Sequence, residues 1–282
     1  MKKLVLLVLA AAMLVCMLAG CNKANDKATF VVMEEALEAE EYGIGFRNED
    51  IALGLAVQGQ IEAMIADGKA AEISKKWFNE NLVYSSDTYL EDSAAPEGDD
   101  SLQKVLDKGT LILGLDDSFP PMGFRDESNN IVGFDIDLAT EVCARLGVEL
   151  ICQPIDWDSK ELELTSGKID CIWNGMSIND DRLATMFFTK PYIANRQIVI
   201  VTNKFKGTKL TDLKDKTVGV QKGSSSLEAL EKNEEVYKSV KTISEYADNV
   251  TALLDLKAGR IDALVVDEVL GRYYMDHLDV NK

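Results

Sequence analysis

From Ser101 onward, short apolar runs alternate with stretches whose apolar residues recur at three- and four-residue spacing. That pattern predicts strands alternating with helices in α/β layers. Thr110–Leu115, Glu149–Pro154, Ile169–Asn174, Gln197–Thr202, Thr217–Gln221, Val240–Ile243 and Ile261–Val266 read as strands. Phe134–Leu146 reads as a helix with Phe134, Leu138, Val142 and Leu146 on one face and Gly147 as its stop. Ser226–Lys232 and Asn249–Lys257 read as further helices, and Asp158 with Glu161 forms a box-like start for a short one. Before residue 101, Thr29–Met33 and the glycine-containing Tyr42–Phe46 are strand-like, and Ile51–Ala66 and Lys69–Asn79 are helical on either side of Asp67-Gly68. Between the two parts, Ser85–Asp100 is acidic and nearly devoid of apolar residues. It cannot bury enough surface to fold and is expected to be a flexible connector. No internal repeat recurs at a fixed period.

The first twenty residues stand apart from this pattern. Lys2-Lys3 precede the apolar run Leu4–Gly20, which is too short for a comfortable membrane span. The run ends in Leu18-Ala19-Gly20-Cys21, which resembles a bacterial lipoprotein cleavage site. The resemblance implies cleavage before Cys21, lipid attachment to it, and export. An uncleaved N-terminal anchor is the alternative, and it too places the rest outside the cytoplasm.

The full chain carries a net charge of −18; removing residues 1–20 takes away two lysines and no acid, giving −20. Such a surface repels nucleic acid and anionic lipid head groups, which argues against both as partners. The 262 residues left fit one large or two medium domains, and 46% hydrophobic content in the chain supplies a core. Beyond Cys16 and Cys21 only Cys143, Cys152 and Cys171 remain. An odd number, in helix-stripe and strand-like settings, reads as buried small hydrophobes rather than a disulfide. Their spacing matches no zinc pattern and His277 has no Cys or His neighbour, so no metal site and no cofactor are expected.

Two stretches carry the candidate chemistry. One is Gly175-Met176-Ser177-Ile178-Asn179-Asp180-Asp181-Arg182, after a buried strand; the other is Asp267, closing the run Ile261–Val266. With Asp116, Phe119 and Trp157 upstream, they resemble the pocket of the polar amino-acid family of ABC-transporter solute-binding proteins. The resemblance covers nearly all of residues 30–282 apart from the connector. It implies a two-lobe periplasmic-binding-protein-like fold of type II, each lobe a mixed sheet flanked by helices. Two hinge strands, near Pro191–Arg196 and Glu41–Ile44, would join the lobes. The stretch Phe30–Phe78, with Glu38–Phe46 inside it and Lys75-Lys76-Trp77-Phe78 at its end, looks like that family's C-terminal end placed first. A circularly permuted order is implied: 43–84 plus 101–191 as lobe 1, 28–42 plus 196–282 as lobe 2, 21–27 as the anchor linker, and 85–100 joining the old ends. A truncated tandem is the rival, but no part of the pattern is missing or duplicated.

A free amino acid offers a carboxylate beside an ammonium, so its pocket needs a cation with planar donors, an anion and apolar walls. Arg182 suits the carboxylate, in the first turn of a helix that Asn179 can cap, with Ser177 beside it. Alone it would read as a surface arginine. Asp267 is either an N-cap or, by the resemblance, the partner of the ammonium. Phe119 and Trp157 match the family's aromatic walls, against the alternative of core packing. Asp116 matches a side-chain contact or is a turn-former. Gln221-Lys222-Gly223-Ser224-Ser225-Ser226 opens a helix whose amides and hydroxyls suit ligand polar groups, with Ser224 or Ser225 as a plain cap the alternative. It matches neither nucleotide-binding glycine motif. Gln221, Val266 and Asn174 depart from better-known members, which leaves backbone recognition intact and glutamine, glutamate, arginine, histidine and cystine all open.

The resemblance implies a non-catalytic, monomeric, lipid-anchored receptor that hands its amino acid to the transmembrane subunits of an ABC permease. Dehydratases of aromatic-amino-acid precursors share the fold but need a general acid in the cleft, and no residue stands out for that task. A ligand-sensing ectodomain is the third reading; no transmembrane helix follows residue 282 to carry a signal.

Overall fold

Strand β10 (Ile193–Thr202) shows how the molecule is joined. Its second half, Ile198–Val201, is apolar and buried, as a strand covered on both faces must be. Its first half alternates, with Asn195 and Gln197 buried and Ala194 and Arg196 exposed. The computed structural model describes residues 28–86 and 94–277; the leader 1–20, Cys21, the linker 21–27 and residues 278–282 lie outside these.

Through Gln197–Val201, β10 pairs antiparallel with β13 (Ala263–Asp267), and through Ile193–Arg196 with β2 (Ala39–Arg47). Beyond β13 lie β11 (Thr217–Gln221) and β12 (Thr242–Tyr246), both parallel to it. Beyond β2 lie β8 (Cys171–Ser177), β3 (Thr110–Leu115) and β7 (Glu149–Pro154). Two mixed groups of strands therefore join through the β2–β10 pairing, the two-lobe architecture with two hinge strands. The pairing uses Ala39–Tyr42 and Ile193–Arg196, so β2 starts three residues earlier than its apolar pattern suggested. Tyr42, Ile44 and Phe46 on this strand are fully buried, each contributing roughly 1.5–3 kcal/mol from lost exposure.

The residues before 101 are woven into both lobes. Strand β1 (Phe30–Val32) pairs with the far end of β10. Helices α1 (Ile51–Asp67) and α2 (Lys69–Phe78) pack on the other lobe, with α3 (Ser101–Lys108) and α4 (Phe134–Leu146). Phe78 meets Phe134 edge-on at 5.0 Å, and Lys76 and Trp77 both donate to Asp137. Residues 28–84 are thus no separate unit.

Three local expectations change. The end of the acidic connector is held in place rather than flexible: Asp99 accepts from the Ala52 and Ser101 N–H groups, and Ser101 Oγ accepts from Leu53 N–H. These contacts satisfy the free donors at the starts of α1 and α3; residues 87–93 of the connector lie outside the described set. Strand β8 runs three residues past the expected end at Asn174, to Ser177, with Gly175 and Ser177 buried between β2 and β3. Asp158 does not cap a helix. It sits inside a single 3-10 turn, and its carboxylate pairs with Lys222 of the other lobe at 2.9 Å.

Candidate functional site

Alternation along the hinge strands lays out the floor of a cleft. The register sets Glu40 opposite Asn195, Gln197 opposite Asp267, and Tyr42 opposite Ser177. Directly opposed residues share a face, so these six side chains form one polar row crossing from lobe to lobe. Asp267 Oδ1 accepts from the Tyr42 hydroxyl at 2.6 Å, Asn195 Nδ2 at 2.8 Å and Gln197 Nε2 at 2.9 Å. Glu40 Oε1 accepts from the same two amides, at 2.5 and 2.8 Å.

Above this floor, one lobe presents Asp116, Phe119, Trp157, Asn174, Gly175, Ser177 and Arg182, and the other Gln221, Ser224, Ser225 and Asp267. The space between them, counting its mouth to solvent, is about 280 Å³. Every pocket residue singled out from the sequence lines this one cleft. Sequence reasoning missed Glu40, Asn195, Gln197 and Lys160. Asn195 and Gln197 flank the charged Arg196, so the three read in sequence as one polar stretch, and only the alternating burial of the strand shows that the two amides share a face.

Arg182 is only 6% exposed and lies on the one-turn helix α6 (Asp180–Leu183 in the sequence, numbered after α5, Lys160–Thr165). Asn179 Oδ1 accepts from the Arg182 N–H at 2.9 Å, the cap the sequence predicted. Four residues sum too few peptide dipoles for the helix to contribute much, so the positive charge of the site is the guanidinium itself. Its Nη1 donates to Ser177 O at 2.7 Å and its Nη2 to Gly223 O of the other lobe at 3.2 Å. Among the described residues it forms no ion pair. Burial lowers its pKa from the usual guanidinium value.

The lobes are closed on each other. Gln221 Nε2 donates to Asp116 Oδ2 at 2.7 Å, Ser177 and Ser225 hydroxyls meet at 3.0 Å, and Lys160 Nζ donates to Gly223 O at 2.8 Å. Asn179 Nδ2 donates to Glu228 at 2.6 Å. Gly223 has φ +71°, and a Cβ there would lie 3.0 Å from the Asp158 Cα, so glycine permits this approach. Gly175 has φ +58°, and a Cβ would lie 2.9 Å from the Phe119 ring.

The alternatives left open by the sequence divide. Ser224 caps helix α7 (Ser225–Lys232), its hydroxyl accepting from Ser226 N–H, while Ser225 faces the cleft. Asp116 is a turn-former, one oxygen accepting from Ser118 N–H and Oγ, and its other oxygen accepts from Gln221 across the cleft. Asp267 lies in the polar row, its Oδ1 taken by Tyr42, Asn195 and Gln197. Trp157 packs against Leu164 and Ile169 and carries Lys160 Nζ 5.2 Å above its ring.

Burial sets the electrostatics. It pushes the Asp116 carboxyl up, and it pushes Lys160 down to about 8 with help from Arg182. Asp267 is raised well above the carboxylate range, first by burial and then by the Glu40 carboxyl. The cleft therefore sets an uncompensated guanidinium on one lobe against an acidic pair at the hinge and on the other. Among the described residues no group of three or more His, Cys, Asp or Glu is placed to hold a metal ion.

Comparison with known proteins yields a consistent set. The family model for bacterial extracellular solute-binding proteins, family 3, matches residues 111–251. The L-cystine-binding protein TcyJ of Escherichia coli K12 is 36% identical over 179 residues, 63% of this chain and 65% of that protein. The chain therefore spans slightly under two thirds of that relative's length. A probable histidine-binding protein of Campylobacter jejuni is 31% identical over 190 residues, 66% of this chain and 68% of that one. Among solved structures, an ABC uptake transporter substrate-binding protein from Streptococcus pneumoniae with bound histidine matches with a TM-score of 0.62. It is 40% identical, over 64% of this chain and 74% of that one.

Proposed function

The chain belongs to the bacterial extracellular solute-binding proteins, family 3, and on that premise we propose that it captures a polar amino acid between its lobes for an ABC importer. One observation carries this reading. Arg182, buried and among the described residues without an ion-pair partner, shares a closed cleft with Asp267, whose Oδ1 accepts from the uncharged Tyr42, Asn195 and Gln197 and which has no cation paired to it there. A zwitterion supplies a carboxylate for the first and an ammonium for the second. The guanidinium can grip the carboxylate with two parallel bonds, and closure strengthens both contacts by excluding water. Asp116 and Gln221 bridge the lobes where a ligand side chain would lie, and Phe119 and Trp157 wall its stem. The protein performs no chemistry on its ligand in this reading and passes it to permease subunits in the membrane. The relatives' names point to cystine, histidine and arginine as the first amino acids to try.

A thermal-shift screen of the twenty amino acids plus L-cystine tests this. A ligand at a hundred times its dissociation constant stabilises by about 2.7 kcal/mol, well within detection. Stabilisation by at least one is expected; none by any would contradict the reading.

The anchor belongs to the same proposal. Cys21 and its leader resemble a lipoprotein signal, and among the described residues no helix is long and apolar enough to cross a membrane. A diacylated cysteine would hold the protein outside the cytoplasm at ~0.8 kcal/mol per buried methylene. Cys21→Ser should shift the protein from the membrane to the soluble fraction; unchanged fractionation would reject the anchor.

The order of parts is read as permuted. Strand β1 on β10, and α1 and α2 on the opposite lobe, suit a family C-terminal end moved to the front. A chain reordered to run 101–282 and then 28–84 should fold with a melting temperature within a few degrees of the parent. Failure of that chain to fold would count against permutation and favour an insertion peculiar to this protein.

A further inference from the structure

We propose that Glu40 is a second carboxylate of the ammonium site, and that Glu40 and Asp267 hold one proton between them until the ligand's ammonium displaces it. This rests on Asp267 being the ammonium's partner. The Glu40 and Asp267 oxygens accept from the same two nitrogens, Asn195 Nδ2 and Gln197 Nε2, so they lie no farther apart than two hydrogen bonds laid end to end. The third donor on Asp267 is the Tyr42 hydroxyl. All three donors are neutral, and none cancels charge.

The charged groups around the pair are otherwise engaged. Arg182 donates to the Ser177 and Gly223 carbonyls, and Lys160 to Gly223. Lys232 pairs with Glu38 and Glu228. Glu268, next in the chain, takes Arg196 and Arg272, and Glu41 accepts from the Tyr84 hydroxyl. Two carboxylates so close, one of them 5% exposed and neither ion-paired, resist ionising together. The upward shift of Asp267 under burial and the Glu40 charge has the same sense.

An incoming ammonium changes this balance. It brings a full positive charge and three N–H donors to the floor of the cleft, so both carboxylates can then ionise. The shared proton leaves to solvent: protonated pair plus ammonium gives complex plus one proton. Below the pair's upper titration, affinity should rise about tenfold per pH unit; above it, affinity should level off.

The test has a ligand-free arm and a binding arm. Without ligand, the folded pair binds a proton more tightly than the same residues unfolded. Stability from this source is therefore present at low pH and lost as pH rises through the pair's folded titration. The parent should show that loss, Glu40→Gln should lack this component, and Glu40→Asp, which keeps a carboxyl, should restore it. Equal pH slopes in the parent and Glu40→Gln would overturn the proposal. In the binding arm, calorimetry with L-arginine and with L-cystine is run in buffers of different ionisation heat. About one proton should be released per molecule bound by the parent at acidic pH, and none by Glu40→Gln. Binding without proton release overturns the shared proton and leaves capture between Arg182 and Asp267 standing. If no amino acid stabilises the protein in the screen, the capture reading falls instead, and the ligand-free arm still decides the proton.

Discussion

Arg182→Ala and Asp267→Ala should each weaken binding of any amino acid the protein takes by roughly a hundredfold to several thousandfold. The reason is the closed cleft. Arg182 is 6% and Asp267 5% exposed, so in the proposed complex each ligand charge would be buried with its partner rather than left to solvent. Removing one partner leaves the other charge buried and unpaired, which costs ~3–5 kcal/mol in comparable broken pairs. Since about 1.4 kcal/mol is tenfold in affinity, the stated range follows. The loss should be similar for every ligand side chain, because the proposed site sets these residues against the atoms common to all amino acids. Trp157→Ala should behave differently, with a loss that depends on the side chain it walls. Calorimetry on variants shown by circular dichroism to be folded distinguishes these outcomes. Near-parental affinity in either charge variant would remove that residue from the site.

The second large effect concerns stability. Asp135, in the first turn of α4, is fully buried and accepts the Gly175 N–H at 2.8 Å, so it supports the cleft from beneath. Burial pushes its carboxyl up to about 7, against opposing pulls from Tyr192, Gly175 and Trp173. Unfolded, it would titrate near 3.9. The folded state therefore holds the proton more tightly, and stability from this group falls as pH rises from about 4 to about 7. A shift of roughly three pH units corresponds to about 4 kcal/mol above pH 7. Asparagine cannot ionise and keeps a carbonyl for Gly175. Asp135→Asn should thus be more stable than the parent at pH 8 by up to about 4 kcal/mol, with the gap closing toward pH 4. Urea denaturation at several pH values measures it. A constant difference across that range would show that Asp135 does not keep its proton on folding.

What could be read from the chain depended on whether a residue's setting is local. Asp267 closes the run Ile261–Val266 and Arg182 follows Asn179 by one helical turn, so their local settings were legible, while their ligand roles came only from the family resemblance. The same holds for α4, whose stripe and Gly147 stop give its boundaries outright. Glu40 was illegible because it sits in the run Glu38-Ala39-Glu40-Glu41. Only the register against Asn195, more than 150 residues away, distinguishes it from the neighbouring glutamates. Asp158 was misread for a related reason. Its local spacing fits a cap, but closure of the lobes supplies Lys222, and the ion pair wins. Gly175 was expected just past the end of its strand and is instead a left-handed residue inside it that lets Phe119 lie against the backbone. The lobe-to-lobe contacts, Gln221 to Asp116 and Arg182 to Gly223, join residues 105 and 41 apart in the chain and leave no mark on local pattern.

The central claim is that a free amino acid lies between Arg182 and Asp267. The most direct measurement is a crystal structure of the protein with the amino acid that gives the largest thermal shift. It should show the ligand carboxylate in two-bond contact with the Arg182 guanidinium and the ammonium within hydrogen-bond reach of Asp267, with the lobes closed over both. Ligand density elsewhere, or in the cleft with its carboxylate away from Arg182, would contradict the account.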